Sequence, residues 1–168
     1  VEMTGENRVL AFYGMRVINQ SPRAGLRALI EKSRKTGELS ISDVVFGIAP
    51  RINAAGRIEH GKIAVEILIE QDFEKAKILA EAIEVHNKER KELDQNITKE
   101  ALLMIDENKK STVVYSPDWH KGVVGIVASR LIEKHYKPTI VLSEKDDELT
   151  GSARSVKGFD LYDALLKC

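Results

Sequence analysis

The chain is 168 residues long, with 43% hydrophobic and 31% charged residues, enough apolar content for a packed core and too much for a disordered chain. Its 26 basic and 26 acidic residues cancel, which excludes a uniformly basic surface and confines any nucleic-acid contact to a local patch. The single cysteine, Cys168, excludes an intrachain disulfide and fits a reducing compartment such as the cytoplasm, and no apolar run approaches the roughly 20 residues of a membrane span.

Residues 1–36 read as two helices. Thr4 or Glu6 starts the first, with Val9, Leu10, Phe12, Tyr13, Val17 and Ile18 near helical spacing. Ser21-Pro22 begins the second, because serine caps well and proline suits a first turn. Leu26, Leu29 and Ile30 give it an apolar face, and Gly37 ends it. A short element follows over Ser40–Phe46. Pro50–Arg57 reads as a turn. Gly61–Glu70 is a helix apolar nearly all round, which predicts burial.

Asp72 then caps a helix predicted over Phe73–Asn108, free of proline and glycine. At about 1.5 Å per residue it would span roughly 50 Å. Leu79, Ile83, Leu93, Ile97, Ala101 and Met104 make its ends apolar, while residues 86–92 form a polar waist. That waist is either a solvated face or a cleft wall where Asn87, Lys88 and Arg90 meet a polyanion. The last third alternates. Thr112–Ser116 and Pro138–Leu142 are strands, and the Gly122–His135 helix between them predicts a parallel βαβ unit. Asp146-Asp147-Glu148 turns into a third strand over Leu149–Ser155, and Asp160–Leu166 is a final helix. The chain starts at Val1 and stops inside that last amphipathic pattern, which reads as a segment excised from a longer protein.

Three stretches carry candidate chemistry. Pro50-Arg51-Ile52-Asn53-Ala54-Ala55-Gly56-Arg57 sets two arginine forks around small residues, a pattern suited to phosphate oxygens or to a tight connection with surface ion pairs. Gly151-Ser152-Ala153-Arg154-Ser155 offers backbone N–H, hydroxyl and guanidinium, either for a terminal phosphate or as an ordinary strand end. Trp119-His120-Lys121-Gly122-Val123-Val124-Gly125-Ile126 places His120 between a strand and a helix N-terminus, where anions are attracted. His60, His86, His120 and His135 show no close metal-ligand spacing, and no Walker-type phosphate loop is present. The residues bind phosphate without a visible hydrolytic engine.

In this order, and with Thr4-Gly5-Glu6-Asn7-Arg8 ahead of them, the three stretches resemble the RecJ family of single-stranded-DNA-specific exonucleases, within the DHH phosphoesterase superfamily. His120 to Arg130 and Gly158-Phe159-Asp160 extend the resemblance over essentially the whole chain. The resemblance implies an α/β fold: residues 1–70 as the helical C-terminal part of the DHH catalytic domain, 71–108 as a connector helix, and 109–168 as the start of an α/β DHH-associated domain with a small mixed sheet. It implies 5′-to-3′ degradation of single-stranded DNA with Mn²⁺ or Mg²⁺, whose ligands would precede this chain, so that no catalytic or metal residue is expected here. Ser152 and Arg154 are implied to grip the 5′ phosphate, with Arg57, or alternatively Arg51, from the opposite lobe and with Asn53 and His120 beside the scissile region. Other DNA-repair proteins are implied partners, and no membrane is. Related readings are an oligonucleotide or nucleotide phosphoesterase of the superfamily, or a non-catalytic DNA-repair scaffold of the same fold.

Overall fold

The computed structural model describes residues 2–58 and 61–167; Val1, His60 and Cys168 lie outside the described residues. The chain folds as two compact units, one ending at Glu89 and the other beginning at Arg90.

The first unit is helical. Helix α1 (Gly5–Gln20) begins after Thr4, as its sequence predicts. Of its apolar residues, Val9, Leu10, Phe12, Tyr13 and Val17 are all exposed, while Met15 and Ile18 pack against the core. Among the described residues nothing covers that face. The Asn19 amide ties the end of α1 to Leu39, with Oδ1 accepting the Leu39 N–H (2.8 Å) and Nδ2 donating to the Leu39 carbonyl (3.0 Å).

Helix α2 (Ala24–Ser33) starts two residues later than Ser21-Pro22 suggests, because Ser21 serves instead as the C-cap of α1. It stops at Arg34, which adopts the left-handed region (φ 56°) that Gly37 was expected to supply. Ser40 and Asp43 form a reciprocal capping box over α3 (Ile41–Asp43). The bonds from Lys35 and Ser40 hold the Asp43 carboxyl well below the usual carboxylate range. A π-helical segment, Val44–Ile48, then leads without a break into α4 (Ala49–Ile58).

The Pro50–Arg57 stretch is therefore a helix, not a turn. Pro50 falls where the π-helical segment passes into α4, directly after Ala49, whose N–H donates to the Val44 carbonyl. Ala54 and Ala55 are fully buried, so the run of small residues serves close helix packing. Helix α5 (Lys62–Ile69) buries only Ile67, while Val65 and Ile69 are exposed, against the expectation of burial all round. Gly25 of α2 lies hard against it: a Cβ there would sit 1.6 Å from the Ile67 carbonyl oxygen. The core joins Leu29, Ile48, Ala55 and Ile67 to Ala76, Ala80 and Ile83 of α6.

Helix α6 (Phe73–Leu103) is 31 residues long and ends five residues before the predicted Asn108. The Asp106 carboxylate accepts the Asn108 N–H (3.0 Å), and the Asp106 carbonyl accepts the Lys109 N–H. That local turn competes with a further helical ladder. In the polar waist Asn87 is buried and Lys88 exposed, so the waist is not a uniformly solvated face.

The second unit carries a three-stranded sheet of order β1-β2-β3. Strand β1 (Thr112–Tyr115) pairs in parallel with β2 (Thr139–Lys145), with Val114 opposite Val141. Helix α7 (Val124–His135) makes the connection. It starts two residues after the predicted Gly122 and stops at Tyr136, whose φ is 40°. Strand β3 (Glu148–Arg154) pairs antiparallel with β2. Asp146 and Asp147 turn the hairpin, both at positive φ, as a two-residue loop matching strand twist requires. Helix α8 (Leu161–Leu166) is capped by Asp160, whose carboxylate accepts the Tyr162 and Asp163 N–H groups. The expected small mixed sheet is thus present.

The core of this unit unites Val114, Val127, Leu131 and Val141 with Ile97 and Ala101 of α6. Asp94, 1% exposed, anchors α7 by accepting Arg130 Nε–H (2.8 Å) and Nη2–H (2.7 Å), with Arg90 4.0 Å away. This pairing raises the pKa of Arg130 still further.

A candidate nucleic-acid interface

In the second unit the candidate site begins with register. Ser152 faces Val141 across the hairpin and Arg154 faces Thr139; both partners are buried. Alternation along a strand puts residues 152 and 154 on one side of the sheet. That side is the one covered by α7, which packs on both β2 and β3.

Arg154 reaches from β3 to the first turn of α7. Its Nη2 donates to the Gly125 carbonyl (2.8 Å) and its Nε to Ser129 Oγ (3.0 Å). Its Nη1 donates to Ser152 Oγ (2.7 Å) and to the Ala153 carbonyl (2.8 Å). Ser129 in turn donates to the Gly125 carbonyl (3.1 Å). Four of the five guanidinium N–H groups are held, and the fork is immobilised. Gly125 lies directly beneath the pair, since a Cβ there would stand in contact, 3.4 Å from both Arg154 Nη2 and Ser152 Oγ.

Every acceptor around Arg154 is neutral. Among the described residues no carboxylate pairs with it, so its positive charge is positioned but not compensated. One Nη2–H and the Ser152 hydroxyl proton remain to donate, beside a helix N-terminus of the same polarity. Such a constellation binds an anion through charge-assisted bonds.

The loop before α7 is ordered by its own residues. Trp119 is buried, and its indole donates to Glu100 Oε2 on α6 (2.8 Å). His120 Nδ1 accepts the Gly122 N–H (3.1 Å), and the His120 carbonyl accepts the Val123 N–H (2.9 Å).

In the first unit the two candidate arginines separate. Arg51 is largely buried and has four of its five N–H groups engaged: Nε donates to Glu84 Oε2 (2.6 Å), Nη2 to Glu84 Oε1 (3.3 Å) and to the Lys32 carbonyl (3.1 Å), and Nη1 to the Gly47 carbonyl. Its charge is met by a carboxylate within the same unit. Arg57 lies six residues on, in the last turn of α4, and is exposed. Asn53, Gly56 and Arg57 are three and four apart and share the exposed face of α4, opposite buried Ala54 and Ala55.

Glu84, which absorbs Arg51, and Ser129, which orients Arg154, were not singled out from the sequence. Ser129 carries one signal: it stands four residues after Gly125 on α7, hence on the same helix face. Glu84 has none, because its pairing with Arg51 joins helices 33 residues apart. Among the described residues no group of three or more His, Cys, Asp or Glu is placed to hold a metal ion. No helix there is long and apolar enough to cross a membrane.

Residues 108–168 match the DHHA1 domain. Over its full length the chain is 39% identical to the single-stranded-DNA-specific exonuclease RecJ of Bacillus subtilis, covering 22% of that protein. It is 36% identical to RecJ of Escherichia coli, with 98% of this chain and 30% of the relative aligned. Among solved structures it resembles RecJ of Thermus thermophilus in complex with Mg²⁺, with a TM-score of 0.89 and 32% identity over 99% of this chain and 26% of the other. A second likeness is to an exonuclease RecJ bound to manganese, with a TM-score of 0.85 and 33% identity over 98% of this chain and 41% of the other. The chain thus spans between a fifth and a third of the length of these curated relatives.

Proposed function

The chain belongs to the RecJ family, carrying its DHHA1 domain at residues 108–168, and from that premise we propose that it is the strand-gripping segment of a 5′-to-3′ single-stranded-DNA exonuclease. The observation that supports this most is the uncompensated guanidinium of Arg154, pinned by neutral acceptors beside the Ser152 hydroxyl. A structural arginine would be expected to sit on a carboxylate, as Arg51 does. Arg154 and Ser152 take the terminal 5′ phosphate. Arg57 and Asn53 contribute from the exposed face of α4, and His120 from the loop before α7.

Of the two arginines in the first unit, Arg57 is the phosphate contact and Arg51 the structural one. Arg57→Ala in the full-length protein should weaken single-strand binding roughly tenfold, one charge-assisted bond being about 1.5–3 kcal/mol, and 5′-phosphorylated strands should lose more than 5′-hydroxyl ones. Arg51→Ala should do the reverse. It leaves Glu84 without its partner and should destabilise by about 1–3 kcal/mol, with no selective loss for 5′-phosphorylated strands. Exchange of these two outcomes would reverse the assignment.

The Mg²⁺- or Mn²⁺-binding residues are placed, in this reading, in a longer protein, the chain spanning only 22% and 30% of the relatives it matches. The isolated chain should therefore show no cleavage of single-stranded DNA when Mn²⁺ or Mg²⁺ is added. Metal-stimulated cleavage by the pure chain would sink this division of labour.

A further inference from the structure

His120 is held more tightly than a loop histidine needs to be. Its Nδ1 accepts the Gly122 N–H at 3.1 Å. A nitrogen that accepts from a backbone amide carries no proton, so in the neutral ring the proton sits on Nε2. Nε2 has no hydrogen-bond partner among the described residues, which leaves Nε2–H presented as a donor. The preceding residue is locked as well. Trp119 is 4% exposed, and its indole N–H donates to Glu100 Oε2 at 2.8 Å. Glu100 lies on α6, so this bond ties the loop to a second element. The carbonyl of Trp119's neighbour, His120, closes the loop by accepting the Val123 N–H.

We propose that Trp119 and Glu100 are positioning residues that fix His120 as an Nε2–H donor to a phosphate oxygen of the bound strand, rather than as a proton acceptor. The proposal rests on the strand-binding reading above and adds a role for His120 and two residues that do not touch DNA. A donor acts on binding, whereas a base acts on the chemical step. Glutamine can place an N–H where the imidazole Nε2–H stands, but cannot act as a general base. Asparagine is too short to reach that point.

The test uses the full-length protein. In DNA-free protein with ¹⁵N-labelled histidine, at alkaline pH, the His120 signal is assigned by its loss in His120→Gln. It should show an unprotonated Nδ1 and a protonated Nε2; the opposite tautomer overturns the proposal without reference to DNA. In steady-state kinetics on single strands, His120→Ala should raise KM about tenfold with little change in kcat, the size expected for one charge-assisted bond. His120→Gln should recover most of that loss, and His120→Asn should not. A kcat lost equally in His120→Ala and His120→Gln would make the ring a base and overturn the proposal.

The clamp is tested by a double-mutant cycle. Trp119→Phe keeps the buried ring and removes the donor, so it should raise KM, and Trp119→Phe combined with His120→Ala should be no worse than His120→Ala alone. Multiplied losses would show that the indole does not act through His120. Should Trp119→Phe fold poorly, Glu100 carries the same test: Glu100→Gln still accepts from the indole and should recover most of the binding lost in Glu100→Leu. Equal losses in the two would overturn the clamp. Unchanged binding in His120→Ala would remove the contact altogether, while Arg154→Ala tests the underlying strand-binding reading separately.

Discussion

Arg154→Ala in the full-length protein should weaken binding of 5′-phosphorylated single strands about 10- to 100-fold and leave 5′-hydroxyl strands much less affected. The magnitude follows from the bond that is lost. A hydrogen bond to a charged group contributes about 1.5–3 kcal/mol, and each 1.4 kcal/mol is a factor of ten. The selectivity follows from the environment. The guanidinium is already fixed by Gly125, Ser129, Ser152 and Ala153, so little side-chain entropy is lost when the phosphate arrives. Arg154→Lys should fall between the two. It keeps the charge but cannot bridge Ser129, Ser152 and the Gly125 carbonyl at once, because an ammonium lacks the planar fork. The measurement is a titration of paired oligonucleotides that differ only at the 5′ end, over a range of salt. The salt slope for the phosphorylated strand should fall by about one in Arg154→Ala. Equal losses on both strands would remove the terminal-phosphate role and leave Arg154 as a general backbone contact.

Gly25→Ala is the second large effect, and it is one of packing. The added Cβ would lie 1.6 Å from the Ile67 carbonyl oxygen and 2.7 Å from its carbon. Neither atom belongs to a flexible side chain, so α2 and α5 have to separate. The core they share contains Leu29 and Ile67, both fully buried, and separation opens it. Overpacking typically costs about 1–3 kcal/mol, and a backbone clash this short belongs at or above the top of that range. Urea unfolding should read a loss of about 3 kcal/mol or more, and poor expression would be in keeping with it. Gly14→Ala is the matched control. It lies inside α1, a Cβ there would meet nothing within 4 Å, and alanine is the better helix former by about 1 kcal/mol. The same chemical change should therefore stabilise at position 14 and destabilise at position 25. A neutral result at 25 would mean that α2 and α5 are farther apart than described here.

How far the fold could be read in advance depended on how local its causes were. The hairpin turn at Asp146-Asp147, the helix near Asp160–Leu166 and the order of β1, α7 and β2 follow from residues within a few positions of each other, and the structure shows each of them. The helix over residues 49–58 was missed for an equally local reason. Proline, asparagine and glycine together look like turn chemistry, yet Pro50 falls where the π-helical segment passes into α4 and Gly56 near the end of that helix. The exposed side of α5 was misread because an apolar stripe announces that a partner exists, not where the partner is.

The sequence by itself determined the alternation of elements, the residue types suited to phosphate, and the family, since each is written in short-range pattern and in the order of motifs along the chain. Only the tertiary structure decided what surrounds Arg51 and Arg154. Arg51 and Arg57 sit in one motif and look equivalent on paper, but Glu84 reaches Arg51 across 33 residues, and Arg154 finds neutral acceptors on a helix 25 and 29 residues before it. The free energy of a guanidinium toward an anion depends on what already surrounds it, and those surroundings are assembled by packing between segments whose separation no local spacing rule encodes.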